Sequence, residues 1–144
     1  MKINTTIGHT EAQAAIAAIQ SELARRGKAA VIAVADDHGE LVALLRLDGA
    51  PFSSITIATN KAFTAARERK PSWQLGIESR DPETAFDIGY YGDPRFVGWG
   101  GGVPIVVDGI VVGSVGVSGL VQDEDAELAA MGAAAAVEAA SRAN

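Results

Sequence analysis

The sequence predicts an α+β fold, an antiparallel sheet of about five strands with helices on its faces. Three observations carry this. Two β-branched apolar runs, Val103 to Val107 and Ile110 to Val117, flank Asp108-Gly109, the strongest short-range signal for a two-residue hairpin. A second pair, Ala29 to Ala35 and Leu41 to Leu47, brackets Asp36-Asp37-His38-Gly39. Stretches of helical spacing precede, separate and follow the two hairpins, which places helices over a sheet of antiparallel neighbours. The runs beside Asp108-Gly109 are almost continuously apolar, so their strands should be covered on both faces. Gly113 and Gly116 interrupt the later run and mark a bulge, or the close approach of another backbone or a ligand.

The first helix should run from about Glu11 to Arg26. Thr10-Glu11-Ala12-Gln13 has the form of a capping box, Ile16, Ile19 and Leu23 follow at helical spacing, and Gly27 is a natural stop. Ser53 or Ser54 caps a second helix, with Ile55, Ala58, Ala62, Phe63 and Ala66 on one side. It should end near Lys70, because Pro71 disfavours helical geometry in the residue before it. From Ser72 to Gly98 the apolar periodicity weakens and prolines and glycines punctuate the chain, leaving only short helical turns near Trp73 and Thr84 to Ile88. An irregular segment of that length is more often functional or interfacial than a mere connector. Acidic residues from Gln122 to Glu127 suit the amino-terminal turn of a last helix, which continues through an alanine-rich tract to about Ser141.

The 144 residues fit a single domain, residues 1–144, and 48% apolar with 21% charged residues is ordinary for a globular chain. A net charge of -6 without a Lys/Arg cluster argues against nucleic acid as a partner. The lack of cysteine excludes disulfides, thiolate metal sites and a cysteine nucleophile. Met1 to His9 has neither the basic start nor the apolar run of a secretory signal, and no apolar stretch is long enough to span a bilayer. A cytoplasmic protein without a membrane partner is expected.

The run Gly101-Gly102-Val103-Pro104-Ile105, then Asp108-Gly109, then Val112-Gly113-Ser114-Val115-Gly116-Val117-Ser118-Gly119 and Gln122-Asp123-Glu124-Asp125 resembles the GlcG/HbpS-like family of small proteins. That family also supplies the carboxy-terminal domain of PduO-type corrinoid adenosyltransferases. Val34-Ala35-Asp36-Asp37, Leu41-Val42-Ala43-Leu44, Arg46-Leu47-Asp48-Gly49-Ala50 and Asn60-Lys61-Ala62-Phe63-Thr64-Ala65 extend the resemblance over nearly the whole chain. It implies a profilin-like sheet, a homo-oligomer, and a protein that binds haem or another tetrapyrrole-like or flat small molecule, linked to haem degradation or redox sensing. The ligand-facing positions it implies are Asn60, Lys61, Gly101, Gly102 and Ser118.

Beside that implication stand the residues' own chemical options. Gly100-Gly101-Gly102 lowers the steric wall for an anion or flat ligand, or forms a strained turn that lets Trp99 and Pro104 pack. No helix and no Lys-Ser/Thr follows, so it is not a phosphate-binding loop. His9 and His38 are the two imidazoles, too few for a three-histidine metal site. His38, at a hairpin tip, can reach a neighbouring subunit as a haem ligand or acid-base group. Lys61 needs a carboxylate, for which Asp48, Asp123 and Asp125 are candidates. Gly116-Val117-Ser118-Gly119 misses the Gly-x-Ser-x-Gly elbow, since Leu120 stands where its last glycine belongs. Asp36-Asp37 and Asp123 to Asp125 suit turns and helix caps better than a divalent cation. Trp73, Phe86, Tyr90, Tyr91, Phe96 and Trp99 crowd one stretch, as a subunit interface or the wall of a planar ligand's site. The rival to a binding module is an enzyme of small organic acid or aromatic metabolite catabolism, with Lys61 or Asp125 as acid-base and Arg46 or Arg67 gripping a carboxylate.

Overall fold

The computed structural model of the protein describes residues 1–143. In chain order the elements are helix α1 (His9–Arg26), strands β1 (Val31–Asp36) and β2 (Leu41–Arg46), helices α2 (Ser54–Glu68) and α3 (Ser72–Arg80), a short 3₁₀ turn (Ile88–Tyr91), strands β3 (Gly102–Val107) and β4 (Ile110–Ser118), and helix α4 (Gln122–Arg142). The strands form one antiparallel sheet in the order β2-β1-β4-β3. Four strands replace the expected five. The stretch that leads into β3 is tied to helices instead: the Thr64 hydroxyl accepts from the Val97 N–H at 3.0 Å and donates to the Arg95 carbonyl at 3.3 Å, so that backbone is satisfied without a strand partner.

The central hairpin turns as its dipeptide requires. Asp108 and Gly109 both have positive φ, 51° and 76°, the pairing that matches the twist of the flanking strands. Glycine then serves β4 in two ways. Ile105 faces Gly113 whereas Val106 faces Val111, so Val112 is an extra residue beside Gly113. At Gly116 a Cβ would lie 2.2 Å from the Ala58 carbonyl oxygen and 2.7 Å from the Ala62 nitrogen, which puts the α2 backbone directly on the sheet. Close packing, not a ligand, fills that approach.

Both central strands are sandwiched. Ile32, Val34, Val115 and Val117 pack with Ile19, Leu23 and Leu128 beneath α1 and α4, while Val31, Ala33 and Ala35 meet Ala58 and Ala62 of α2 on the opposite face. The alternation of strand residues thus supplies one face with branched side chains and the other, Val31 apart, with small ones. Small residues let α2 sit low over the strand ends, and this fixes the depth of the pocket described below.

Helix α1 begins earlier than the sequence predicts. Gly8 is its cap, and Glu11, three residues on, accepts from the Gly8 N–H at 2.8 Å, so the carboxylate half of a capping box operates without a Thr10 cap. Gly27, at φ 67°, ends the helix as expected. Arg26 ties its last turn to Glu22 and to Glu124 (3.0 Å) and Glu127 (2.5 Å) of α4. Hydrogen bonds from Arg25 and Arg26 pull the Glu22 carboxyl down from 4.5 to about 2. Its folded-state value lies below its unfolded one, so the contribution is complete above pH 4.5 and is lost as pH falls towards 2. Protection of the α1 amides against hydrogen exchange, taken relative to the intrinsic rate at each pH, should therefore fall over that interval, and added salt should blunt the effect because these charges are at the surface.

The segment after α2 holds more structure than its weak periodicity suggests. Residues 72–80 form a full helix, α3, packed through Leu75 and Gly76. Gly98 passes so close that a Cβ on Gly76 would lie 2.1 Å from its carbonyl oxygen. Phe86 stacks on Tyr91, Tyr91 meets Phe96 edge-on and Phe96 meets Phe63 edge-on, with centroids 5.6, 4.8 and 5.0 Å apart. Arg95 caps Phe63 at 3.9 Å. Part of the aromatic set therefore fastens this segment to α2. Trp73, Ile77, Tyr90 and Trp99 remain exposed.

Candidate functional site

Two helix starts and a strand end meet around a cavity of about 380 Å³, lined by Pro51, Ser53, Ser54, Ile57, Lys61, Trp99, Ser118, Gly119, Leu120, Gln122 and Asp125. From α2 come Ser54, Ile57 and Lys61, one side of a helix at spacings of three and four residues. Helix α4 adds Gln122 and Asp125 from its first turn. Ser118 lies at the last position of β4, and Gly119, at φ 135°, turns the chain away beneath them.

Lys61 and Asp125 form the floor. Their Nζ and Oδ2 are 3.1 Å apart, and neither side chain is more than 3% exposed. The ammonium also donates to the Val117 carbonyl at 3.0 Å, and the Leu120 N–H donates to Asp125 Oδ1 at 3.2 Å. Burial pushes the Lys61 ammonium below the usual lysine range and the Asp125 carboxyl above the usual aspartate range, each partner opposing the other's shift. Breaking such a pair costs far more than it contributes as a pair, so two charges beside an open cavity are poorly explained by stability alone.

The glycines are spent on Lys61. A Cβ on Gly101 would stand 2.5 Å from the Val117 carbonyl oxygen and 2.8 Å from Lys61 Nζ, and one on Gly102 would stand 2.2 Å from the Lys61 carbonyl oxygen. The room expected for a ligand beside this ledge is occupied by the lysine, and neither glycine lines the cavity. Ser72 fixes the ledge: its hydroxyl donates to the Trp99 carbonyl at 2.6 Å and accepts from the Gly102 N–H at 2.9 Å. Gln122 Oε1 accepts from the Gly100 N–H at 2.9 Å. Trp99 is thereby held at the mouth, 55% exposed. On the far wall the Ser118 hydroxyl donates to the Ser54 hydroxyl at 3.1 Å.

Of the sequence's candidates the structure gathers Lys61, Ser118, Trp99 and Asp125 at one cavity. Asn60 is half-buried and one residue round the helix from Lys61, outside the lining. His38 lies at the other end of the sheet: Val31 pairs with Ser118 and Asp36 with Gly113, so roughly 17 Å of strand separates it from the pocket. It is exposed, near Asn4 and Asp37. Arg46 sits over Phe52 in an adjoining hollow that shares Pro51, and Arg67 donates to the His38 carbonyl, so neither faces Lys61. Among the described residues no group of three or more His, Asp or Glu is placed to hold a metal. Asp36 accepts from the His38 and Glu40 N–H groups as a turn residue. The sequence did not reveal Pro51, Ile57, Leu120 or Gln122, whose signal would have been their distance of a few residues from a helix start facing Lys61.

Sheet, helices and pocket define a small α+β domain with a ligand-sized cavity at the end of its central strands. The chain belongs to the HbpS-like family, described as haem degrading protein HbpS-like, which it matches over residues 7–134. It is 40% identical to protein GlcG of Escherichia coli over 118 residues, 82% of this chain and 85% of that protein. Among solved structures it is similar to protein ORFY of Klebsiella pneumoniae, with a TM-score of 0.84, 28% identity and 94% of each chain covered. A double mutant of Streptomyces reticuli HbpS gives 0.82 and 29%, covering 93% of this chain and 89% of the other. Among the described residues no helix is long and apolar enough to cross a membrane.

Proposed function

We propose that this protein binds a flat small molecule bearing a carboxylate, haem or a related tetrapyrrole first among them, edge-on in the cavity between α2 and α4. The observation that carries the reading is the buried Lys61–Asp125 pair at the floor of a cavity that Trp99 overhangs. Pro51, Ile57, Leu120 and Trp99 offer apolar walls to a ring, and Lys61, Ser54 and Ser118 offer polar contacts to an acid. Ligand pockets range from about 300 to 1,000 Å³, and this one is at the low end, which suits one edge of a porphyrin. The family's description supports haem as the flat ligand.

The ring fits these residues and the iron does not. No His, Met, Cys or Tyr lines the cavity, so its residues supply none of the usual haem-iron ligands. The reading therefore gives the pocket the ring and its carboxylates and gives the iron no role. Haemin and iron-free protoporphyrin IX should both bind saturably, one per chain, with affinities within about threefold. Trp99→Ala should weaken both about tenfold, as expected for a lost aromatic wall, and His38→Ala should change neither. Linear, unsaturable titrations overturn the reading. Haemin binding that is far tighter than porphyrin binding and lost in His38→Ala would move the site to the hairpin tip.

Acid-base chemistry on a small organic acid is the second reading, favoured by the displacement of both Lys61 and Asp125 towards their neutral forms. It predicts turnover that Asp125→Asn abolishes. A homo-oligomer belongs to either reading, supported by the exposed Trp73, Ile77 and Tyr90, and its proposed compartment is the cytoplasm. Sedimentation should show Trp73→Ala dissociating it; an unchanged assembly would remove Trp73 from the interface.

A further inference from the structure

Lys61 and Asp125 neutralise one another, and that constrains how a carboxylate enters the pocket. An ammonium has three N–H donors. The Val117 carbonyl and Asp125 Oδ2 take two of those on Lys61, which leaves one for the cavity that Lys61 lines. A ligand carboxylate on that donor faces Asp125 across a single cation. Both residues are almost wholly buried, so water does little to screen the repulsion. Among the residues lining the cavity no other group relieves it. Lys61 is the sole cation among the residues lining the cavity. From α4 the neighbouring acids are Asp123, which is exposed, and Glu124, which is held by Arg26 at 3.0 Å and Lys28 at 2.7 Å. The Trp99 loop, the start of β3 and the end of β4 present Gly101, Gly102, Ser118 and Gln122, all neutral.

Resting on the proposed function, we infer that the pocket takes up its carboxylate ligand together with a proton. The proton comes from solvent and ends on the Asp125 carboxyl; Lys61 stays an ammonium and passes its ion pair from Asp125 to the ligand. No covalent bond forms. Because the complex binds one more proton than the free protein, affinity falls as pH rises, by up to about tenfold per pH unit while the ligand stays ionised. The site would load in mild acid and release in alkali.

Calorimetric titration of the whole chain with iron-free protoporphyrin IX, at pH 8 in phosphate and in Tris, counts the protons taken up from the difference in buffer ionisation heat. About one proton per ligand is expected. The dimethyl ester should bind at least tenfold more weakly and take up none. Over the pH range in which Lys61 stays an ammonium, Asp125→Asn should bind the free acid without proton uptake and with an affinity insensitive to pH. An ester bound as tightly as the acid, or a wild-type protein that takes up no proton, overturns the inference while saturable binding of both porphyrins still supports the proposed function. Failure of both porphyrins to bind removes the two together. The buffer comparison uses only the wild-type chain, so it stands even if the variant does not fold.

Discussion

Lys61→Met should destabilise the fold by about 3–5 kcal/mol, because it leaves the Asp125 carboxylate buried without its cation. Asp125→Asn should cost a similar amount, since it strands the ammonium. The double variant, Lys61→Met with Asp125→Leu, should recover most of the loss, as buried pairs replaced by packed apolar groups commonly do. The pH dependence has opposite signs in the two single variants. In Lys61→Met the Asp125 carboxyl lies further above its unfolded value, so the folded state binds more protons and stability falls as pH rises through that interval. In Asp125→Asn the Lys61 ammonium lies further below its unfolded value, so stability rises with pH. Urea unfolding at several pH values measures both slopes, and parallel slopes would contradict the account of the pair.

Gly116→Ala should be nearly as damaging. The added Cβ meets the Ala58 carbonyl oxygen at 2.2 Å and the Ala62 nitrogen at 2.7 Å, both backbone atoms of a helix held on a central strand. Neither side can give by rotating a side chain, so α2 must lift from the sheet and disturb the wall that carries Lys61. Overpacking of this kind costs about 3 kcal/mol, which for a chain of this size is a fall in Tm of roughly 6–12 °C. Gly109→Ala in the exposed turn, with nothing within 4 Å of its Cβ, tests backbone strain alone and should cost about 1 kcal/mol. A Gly116→Ala effect no larger than that one would contradict the close approach of α2.

Much of this architecture was legible because its signals are local. Asp108-Gly109 demands a turn with two positive φ angles, Gly27 stops α1, and the acidic start of α4 suits a helix dipole. The miscounted strand and the underestimated α3 have tertiary causes. Thr64 and Ser72 satisfy the backbone that leads into β3, and α3 is shaped by the passage of Gly98 across Gly76, neither of which has a period in the sequence. At the site, Lys61 with a carboxylate partner was readable from the difficulty of burying a lone cation, but the choice of Asp125 over Asp48 or Asp123 depends on where α4 begins. The glycine triplet was open to two readings for a similar reason. Glycine announces that something approaches: at Gly101 it is the Val117 carbonyl and the lysine's stem and head, and at Gly102 the Lys61 backbone carbonyl. Arg46 and Arg67 were plausible grips only until the fold turned them to Phe52 and to the hairpin tip.

The most direct test is a crystal structure of the wild-type chain grown with iron-free protoporphyrin IX. The expected result is ring density between Trp99 and Pro51, with one carboxylate in hydrogen-bonding reach of Lys61 Nζ and Asp125 still buried beside it. Porphyrin seated at His38 or on the outer faces of the helices, with the cavity at Lys61 left to solvent, would contradict the account.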